Sequence, residues 1–212
     1  MTTWRPTSVR HWPLSPGGSH SAKLVVAEFG SAAVAVVTIG EMPMRTPATK
    51  LDQRYSDPAA IATGWEETRG VLEAAELFWI STVRADGQPH VTPVVAVWAE
   101  DAVWFSTGAG EQKFLNLRAN PQVVMTTGRN QWDRGLDVMV EGKAVQVTDD
   151  AILERVARAF TTKWDGRWQF RAQGGAFRSP DGDGEAMVFS VTPTKIFAHA
   201  KGDPFGATTH RF

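Results

Sequence analysis

Ser106 and Thr107 end an apolar run, Gly108 and Gly110 follow, and Lys113 comes three residues after the second glycine. Hydroxyls at a strand end, glycines that let the backbone turn and the free N–H groups of a helix start together suit a bound anion. Lys113, in the first turn of the helix that follows, can aim its ammonium at the same place. The chemistry this set offers is phosphate recognition. The competing reading is a polar loop beside a solvated lysine. Other motifs are missing. Gly108-Ala109-Gly110 runs into Glu111, Gln112 and Lys113, so it is not the G-x-G-x-x-G of a dinucleotide fold. The sequence has no Walker A loop, no H-E-x-x-H and no G-x-S-x-G. The five histidines, at 11, 20, 90, 199 and 210, are too scattered for a local metal site, and "DGDGE" (181–185) lacks calcium-loop spacing.

The elements that must position these residues are legible from residue 55 onward. "WEETRGVLEAAE" (65–76) places Val71, Leu72 and Ala75 on one helical face, with its acids early. "LFWISTV" (77–83) and "HVTPVVAVW" (90–98) are strands flanking an Asp86-Gly87 hairpin turn. "AVWFST" (102–107) is a third strand after the turn at Glu100-Asp101. The helix bearing Lys113 ends at Asn120-Pro121. "QVVMTT" (122–127) and "LDVMVEGKAVQV" (136–147) are strands. A helix over 149–164 is capped by Thr148 or Asp149. "AMVFSV" (186–191) and "KIFAHA" (195–200) are strands joined through Thr192-Pro193. Short antiparallel strands with helices at hairpin ends predict a mainly β fold with α caps, a small barrel rather than a doubly wound sheet. In "TTKWDGRWQF" (161–170), Trp164, Trp168 and Phe170 either wall a substrate cavity or pack the second long helix on the barrel.

Composition sets the class. The 212 residues carry a net charge of -1, with 42% hydrophobic and 21% charged residues, as in ordinary globular proteins. Near-neutral charge argues against a nucleic-acid partner. The absence of cysteine excludes disulfides, thiolate catalysis and Fe–S clusters, and makes a cytoplasmic setting the expectation. Residues 1–50 differ from the rest. "RPTSVRHWPLSPGGSHSAK" has no period and is expected to be disordered. The apolar run at 24–40 is short for a membrane span. The leader is read as a dispensable or non-native extension, with Met42 or Met44 as the true start; a docked strand or helix and a membrane element are the other readings. The domain proper is 51–212, with no membrane partner expected.

The runs "ELFWISTVRADGQPHVTPVVAVW", "FSTGAGEQKFLNLRANPQVVMTT", "EGKAV" and "KGDPFGATTHRF" together resemble the pyridoxamine 5'-phosphate oxidase-like superfamily, and more closely its flavin/deazaflavin-dependent oxidoreductases. The likeness spans about 51–212 and is strongest over 76–147. It implies a homodimeric split β-barrel holding FMN or the deazaflavin coenzyme F-420 in an interface groove. Hydride would pass to or from a small organic substrate. The resemblance puts the phosphate on Ser106, Lys113 and Asn116, with Thr107 beside them, and the ring along Thr92, Pro93 and Val94. It brings the tail, with Arg211, toward the groove; the other reading is a capping tail pinned by Phe205 and Phe212. Trp132 would reach across the groove, with Arg129 and Arg134 beside it as candidates for an anionic cofactor tail; the competing reading of the two arginines is plain surface charge. Glu111 departs from deazaflavin-binding members that carry Arg at that position, which leaves FMN against F-420 open. The same fold permits a non-catalytic carrier or sensor of flavin, deazaflavin or haem, with His199 as a haem ligand; the other and commoner reading of His199 is a strand histidine at the barrel rim. A pyridoxamine-phosphate oxidase in the strict sense would need a second anion loop, which the sequence does not show.

Overall fold

The computed structural model describes residues 45–181 and 184–212. The leader expected over 1–50, its apolar run and the alternative starts at Met42 and Met44 lie outside those residues, apart from 45–50. In chain order the elements are β1 (Ala48–Leu51), a 3-10 turn (Gln53–Tyr55), α1 (Trp65–Ala74), β2 (Phe78–Val83), β3 (Pro89–Val94), β4 (Ala96–Ala99), β5 (Ala102–Thr107), α2 (Gln112–Ala119), β6 (Gln122–Thr127), β7 (Gly135–Val147), α3 (Asp150–Lys163), β8 (Arg171–Ala172), β9 (Phe177–Arg178), β10 (Glu185–Lys201) and β11 (Gly206–Arg211). β1 thus begins three residues ahead of the boundary expected from composition.

The strands pair antiparallel in a branched sheet. One arm runs β1–β11–β10–β7–β6–β2–β3, and a second leaves β10 through β5 to β4. The two arms approach each other at Val95, the single residue between β3 and β4. Among the described residues β3 pairs with β2 and β4 with β5, so the sheet curls into a split barrel and does not close. The run at 90–98, expected as one strand, is therefore two, broken at the split.

Burial explains the patterns. β2 alternates, with Phe78, Ile80 and Thr82 inward. β5 is apolar without alternation because both its faces are covered. Val103 and Phe105 point into the barrel, while Ala102 and Trp104 face α3. The Glu100-Asp101 turn has two positive φ angles, 49° and 54°, the conformation that matches hairpin twist. α3 is capped by Asp149, whose carboxylate accepts from the N–H groups of Ala151 and Ile152 at 2.9 and 3.0 Å. Its apolar face (Leu153, Val156, Phe160) packs on β4 and β5. Phe170 and Phe177 stack at 4.6 Å beside Phe160, and Trp164 is buried with them. The aromatic stretch after α3 is thus spent on packing that helix.

β10 is one strand of seventeen residues, not two. Pro193 sits at an irregularity between Pro193 and Lys195, where a missing donor is tolerated. Gly142 stands opposite. A Cβ there would lie 2.6 Å from the Thr192 carbonyl oxygen, so only glycine admits so close an approach. Among the described residues no helix is long and apolar enough to cross a membrane.

Candidate cofactor site

β5 delivers Ser106 and Thr107 to the split. Ala96 stands opposite Phe105 in the β4–β5 ladder. Extending that register by two residues sets Val95 against Ser106 and Val94 against Thr107, where no ladder pair forms. The end of β3, Thr92 to Val94, and the end of β5, Ser106 and Thr107 with Gly108 after them, thus lie beyond the last β4–β5 pair, at the break between β3 and β4. β3 ends the long arm of the sheet, so one edge of Thr92, Pro93 and Val94 has no strand partner among the described residues.

α2 begins behind this loop, and Lys113 is its second residue. Its side chain is buried, with the residue only 7% exposed. An ammonium so far out of water needs an anion, and Glu111 supplies one. The Lys113 Nζ donates to Glu111 Oε2, and the Gly108 N–H donates to Glu111 Oε1 at 2.7 Å. Glu111 occupies the N-cap position of α2 but makes no side-chain cap bond to it, because its carboxylate is folded back over the loop. Burial alone would raise the Glu111 carboxyl. Hydrogen bonds from Lys113, the Gly108 N–H and Thr107, with the Lys113 charge, outweigh it and hold the group below the ordinary glutamate value.

Asn116 lies one turn further and is 2% exposed. Its Nδ2 donates to Thr82 Oγ1 at 2.8 Å, and its Oδ1 accepts from Gln112 Nε2 at 2.8 Å. The amide fastens α2 to β2 with one N–H to spare. Arg84 follows β2 on the face of Thr82, by the two-residue alternation of a strand. Its Nη1 donates to Gln88 Oε1 at 3.0 Å, while Nε is buried without a partner. The sequence offered Arg84 only as part of a hairpin. That one nitrogen of a partly buried arginine is cut off from water cannot be read from a hairpin pattern.

Not every expected residue meets here. Arg211 is exposed on β11, opposite Lys195, whereas Thr107 is opposite Met187, eight residues back along β10. That separation is a strand contour of about 26 Å. Arg211 instead lines a broad groove of ≈ 1000 Å³ with Lys50 and Arg54. Trp132, between β6 and β7, is 89% exposed. The tail is β11. Its His210 is fully buried, with Nδ1 2.8 Å from Thr49 Oγ1 and Nε2 2.9 Å from Thr68 Oγ1, and burial lowers its pKa. Phe212 packs edge-on against Trp65. Phe205, the other expected pin, is half exposed. His199 is exposed on β10, beside a cavity of ≈ 490 Å³ that Tyr55, Val124, Met139 and Phe197 also line on the outer face of the sheet. Lys163, beside Trp164 at the end of α3, carries no signal in the sequence. It donates to the carbonyls of Ala75 and Ala96, and burial, partly offset by Glu76, lowers its pKa to about 8.

The donors at the split suit a phosphate monoester. A buried ammonium, a loop N–H and the Thr107 hydroxyl meet at the start of α2, and they already hold a carboxylate, that of Glu111. Among the described residues no group of acidic or histidine side chains is placed to hold a metal ion.

Comparison with known proteins agrees with this architecture. A conserved hypothetical protein from Mycobacterium tuberculosis superposes with a TM-score of 0.54 at 20% identity, covering 66% of this chain and 86% of that one. A NimC/NimA family protein from Clostridium acetobutylicum gives 0.50 at 16% identity, over 69% and 91%. No curated protein matches the sequence. The family model described as pyridoxamine 5'-phosphate oxidase matches residues 65–200, a stretch that runs from α1 through β3 and β5 to the end of the β10 core, and on that match the chain belongs to the pyridoxamine 5'-phosphate oxidase family.

Proposed function

We propose that the protein is a homodimeric oxidoreductase that binds FMN or a deazaflavin such as coenzyme F-420 at the split, with its phosphate at Lys113. The observation that carries this reading is the convergence of the buried Lys113 ammonium and the Gly108 N–H on one anion, the Glu111 carboxylate, in the loop that follows β5. Such a ring system supplies hydride transfer when bound. The chain's own contribution is to anchor, orient and shield. Lys113 and the Gly108 N–H would hold the phosphate. Ser106 and Thr107 would donate from the strand end, and Asn116 would keep α2 seated on β2. The unpaired edge of β3 would lie along the ring, with Val94 closing off the barrel side. Exposed apolar groups on the outer side of β2 and β3, Trp79 and Val91, supply a surface for a second copy, with Trp132 reaching toward it. Arg211, distant from Lys113 within one chain, would then serve the partner's groove.

The test is a parallel titration of the full chain with FMN, coenzyme F-420 and haem, followed by fluorescence and absorbance. The reading expects saturable binding of one of the first two, at one per chain, and reduction of that ligand or of an acceptor by a hydride donor. Haem binding alone, or tight flavin binding with no turnover of any acceptor, would move the protein to the carrier class.

A further inference from the structure

The carboxylate of Glu111 occupies the donors that a phosphate would use. It takes the charged hydrogen bond of the one buried ammonium at the site and the 2.7 Å bond of the loop N–H, and its capping position gives it no other partner on α2. The Glu111 side chain is half exposed, at 51%, while that of Lys113 is nearly closed off, at 8%. The anion is thus the solvent-accessible member of the pair and the cation the enclosed one. A Cβ on Gly108 would already lie 3.4 Å from Glu111 Oε1, so the loop fits closely around this carboxylate.

We propose that Glu111 is a built-in competitor for the phosphate corner, so that ligand entry is an anion exchange in which Glu111 swings outward as the phosphate arrives. This rests on the phosphate reading of the site and names the residue that sets its selectivity. The exchange explains how a buried lysine stays paired before ligand binds. It also discounts affinity for any phosphate ligand by the fraction of chains with the carboxylate out. Ligands lacking a phosphate do not contest the corner and escape the discount.

Two variants test it in the full chain. Glu111→Gln keeps an acceptor for the Gly108 N–H but removes the charge; Glu111→Ala removes both. Affinity for FMN and for riboflavin, which lacks the phosphate, is read by fluorescence quenching. Separately, the melting midpoint is followed against inorganic phosphate at constant ionic strength. The proposal expects FMN to bind the Gln variant about 10- to 100-fold more tightly than the native chain, the range of one charge-assisted hydrogen bond. Riboflavin affinity should not change, and phosphate should stabilise the variant more than the native chain. Equal tightening of FMN and riboflavin, or weaker FMN binding to both variants, overturns the proposal. If neither chain binds any flavin but phosphate still stabilises the Gln variant selectively, the exchange stands and the flavin reading falls. If flavin binds and neither phosphate comparison moves, the flavin reading stands and the exchange falls.

Discussion

At the scale of the residue, two buried polar groups do opposite jobs. Lys113 is buried with a partner that is itself half exposed, which suits a binding cation. His210 is buried between two threonine hydroxyls that cannot leave, which suits a structural tie joining β1, β11 and α1. That tie carries a pH signature. Burial lowers the folded-state pKa of His210 below its usual 6.5, so the unfolded chain takes up the proton first as pH falls. Its contribution is complete above about pH 6.5 and is lost as pH falls through the folded value. Urea midpoints measured across pH 4 to 8 should therefore decline on the acid side, roughly one proton's worth more steeply in the native chain than in His210→Asn. Parallel profiles would remove His210 from the account.

At the scale of the element, α3 should act as a packing unit. Phe160 is fully buried among Trp164, Phe170 and Phe177. Phe160→Ala should cost about 3–5 kcal/mol of unfolding free energy in chemical denaturation. A loss below about 1 kcal/mol would mean the aromatic stretch is a soft wall and not a core. What the sequence disclosed follows the same physics. β2, β5, β6 and β7 stand out because most of their inward residues are apolar. β11 does not, because Gly206, Thr208 and His210 fill its inward positions. Those positions are satisfied by hydrogen bonds, such as the Thr63 N–H to Thr208 Oγ1 at 2.9 Å, that no periodicity can reveal. β1 was lost in the polar mixture Thr49–Lys50 for a similar reason. Pro193 concealed the continuity of β10, which depends on Gly142 across the ladder. At the site, the hydroxyls and Lys113 were readable as a motif. The direction of the Glu111 side chain was not, since it depends on how the loop closes.

At the scale of the whole molecule, the account needs two copies. The outer side of β2 and β3 exposes Trp79 and Val91, and Trp132 stands free of the domain surface. Sedimentation should give twice the 23.2 kDa of one chain. Trp79→Glu should shift the population toward the single chain and weaken cofactor binding in step, since in the proposed assembly the partner would complete the groove. A stable monomer that binds cofactor fully would separate assembly from function. Residues 45–212 alone should bind as the full chain does. A drop in affinity on removing the leader would assign residues before 45 a role in the site.

The central claim, that Lys113 receives a phosphate at the split, is tested most directly by titrating the native chain and Lys113→Ala with FMN and following flavin fluorescence. Loss of a charge-assisted hydrogen bond of about 1.5–3 kcal/mol predicts a dissociation constant about 10- to 100-fold weaker with the melting transition preserved. An unchanged dissociation constant in a folded variant would contradict it.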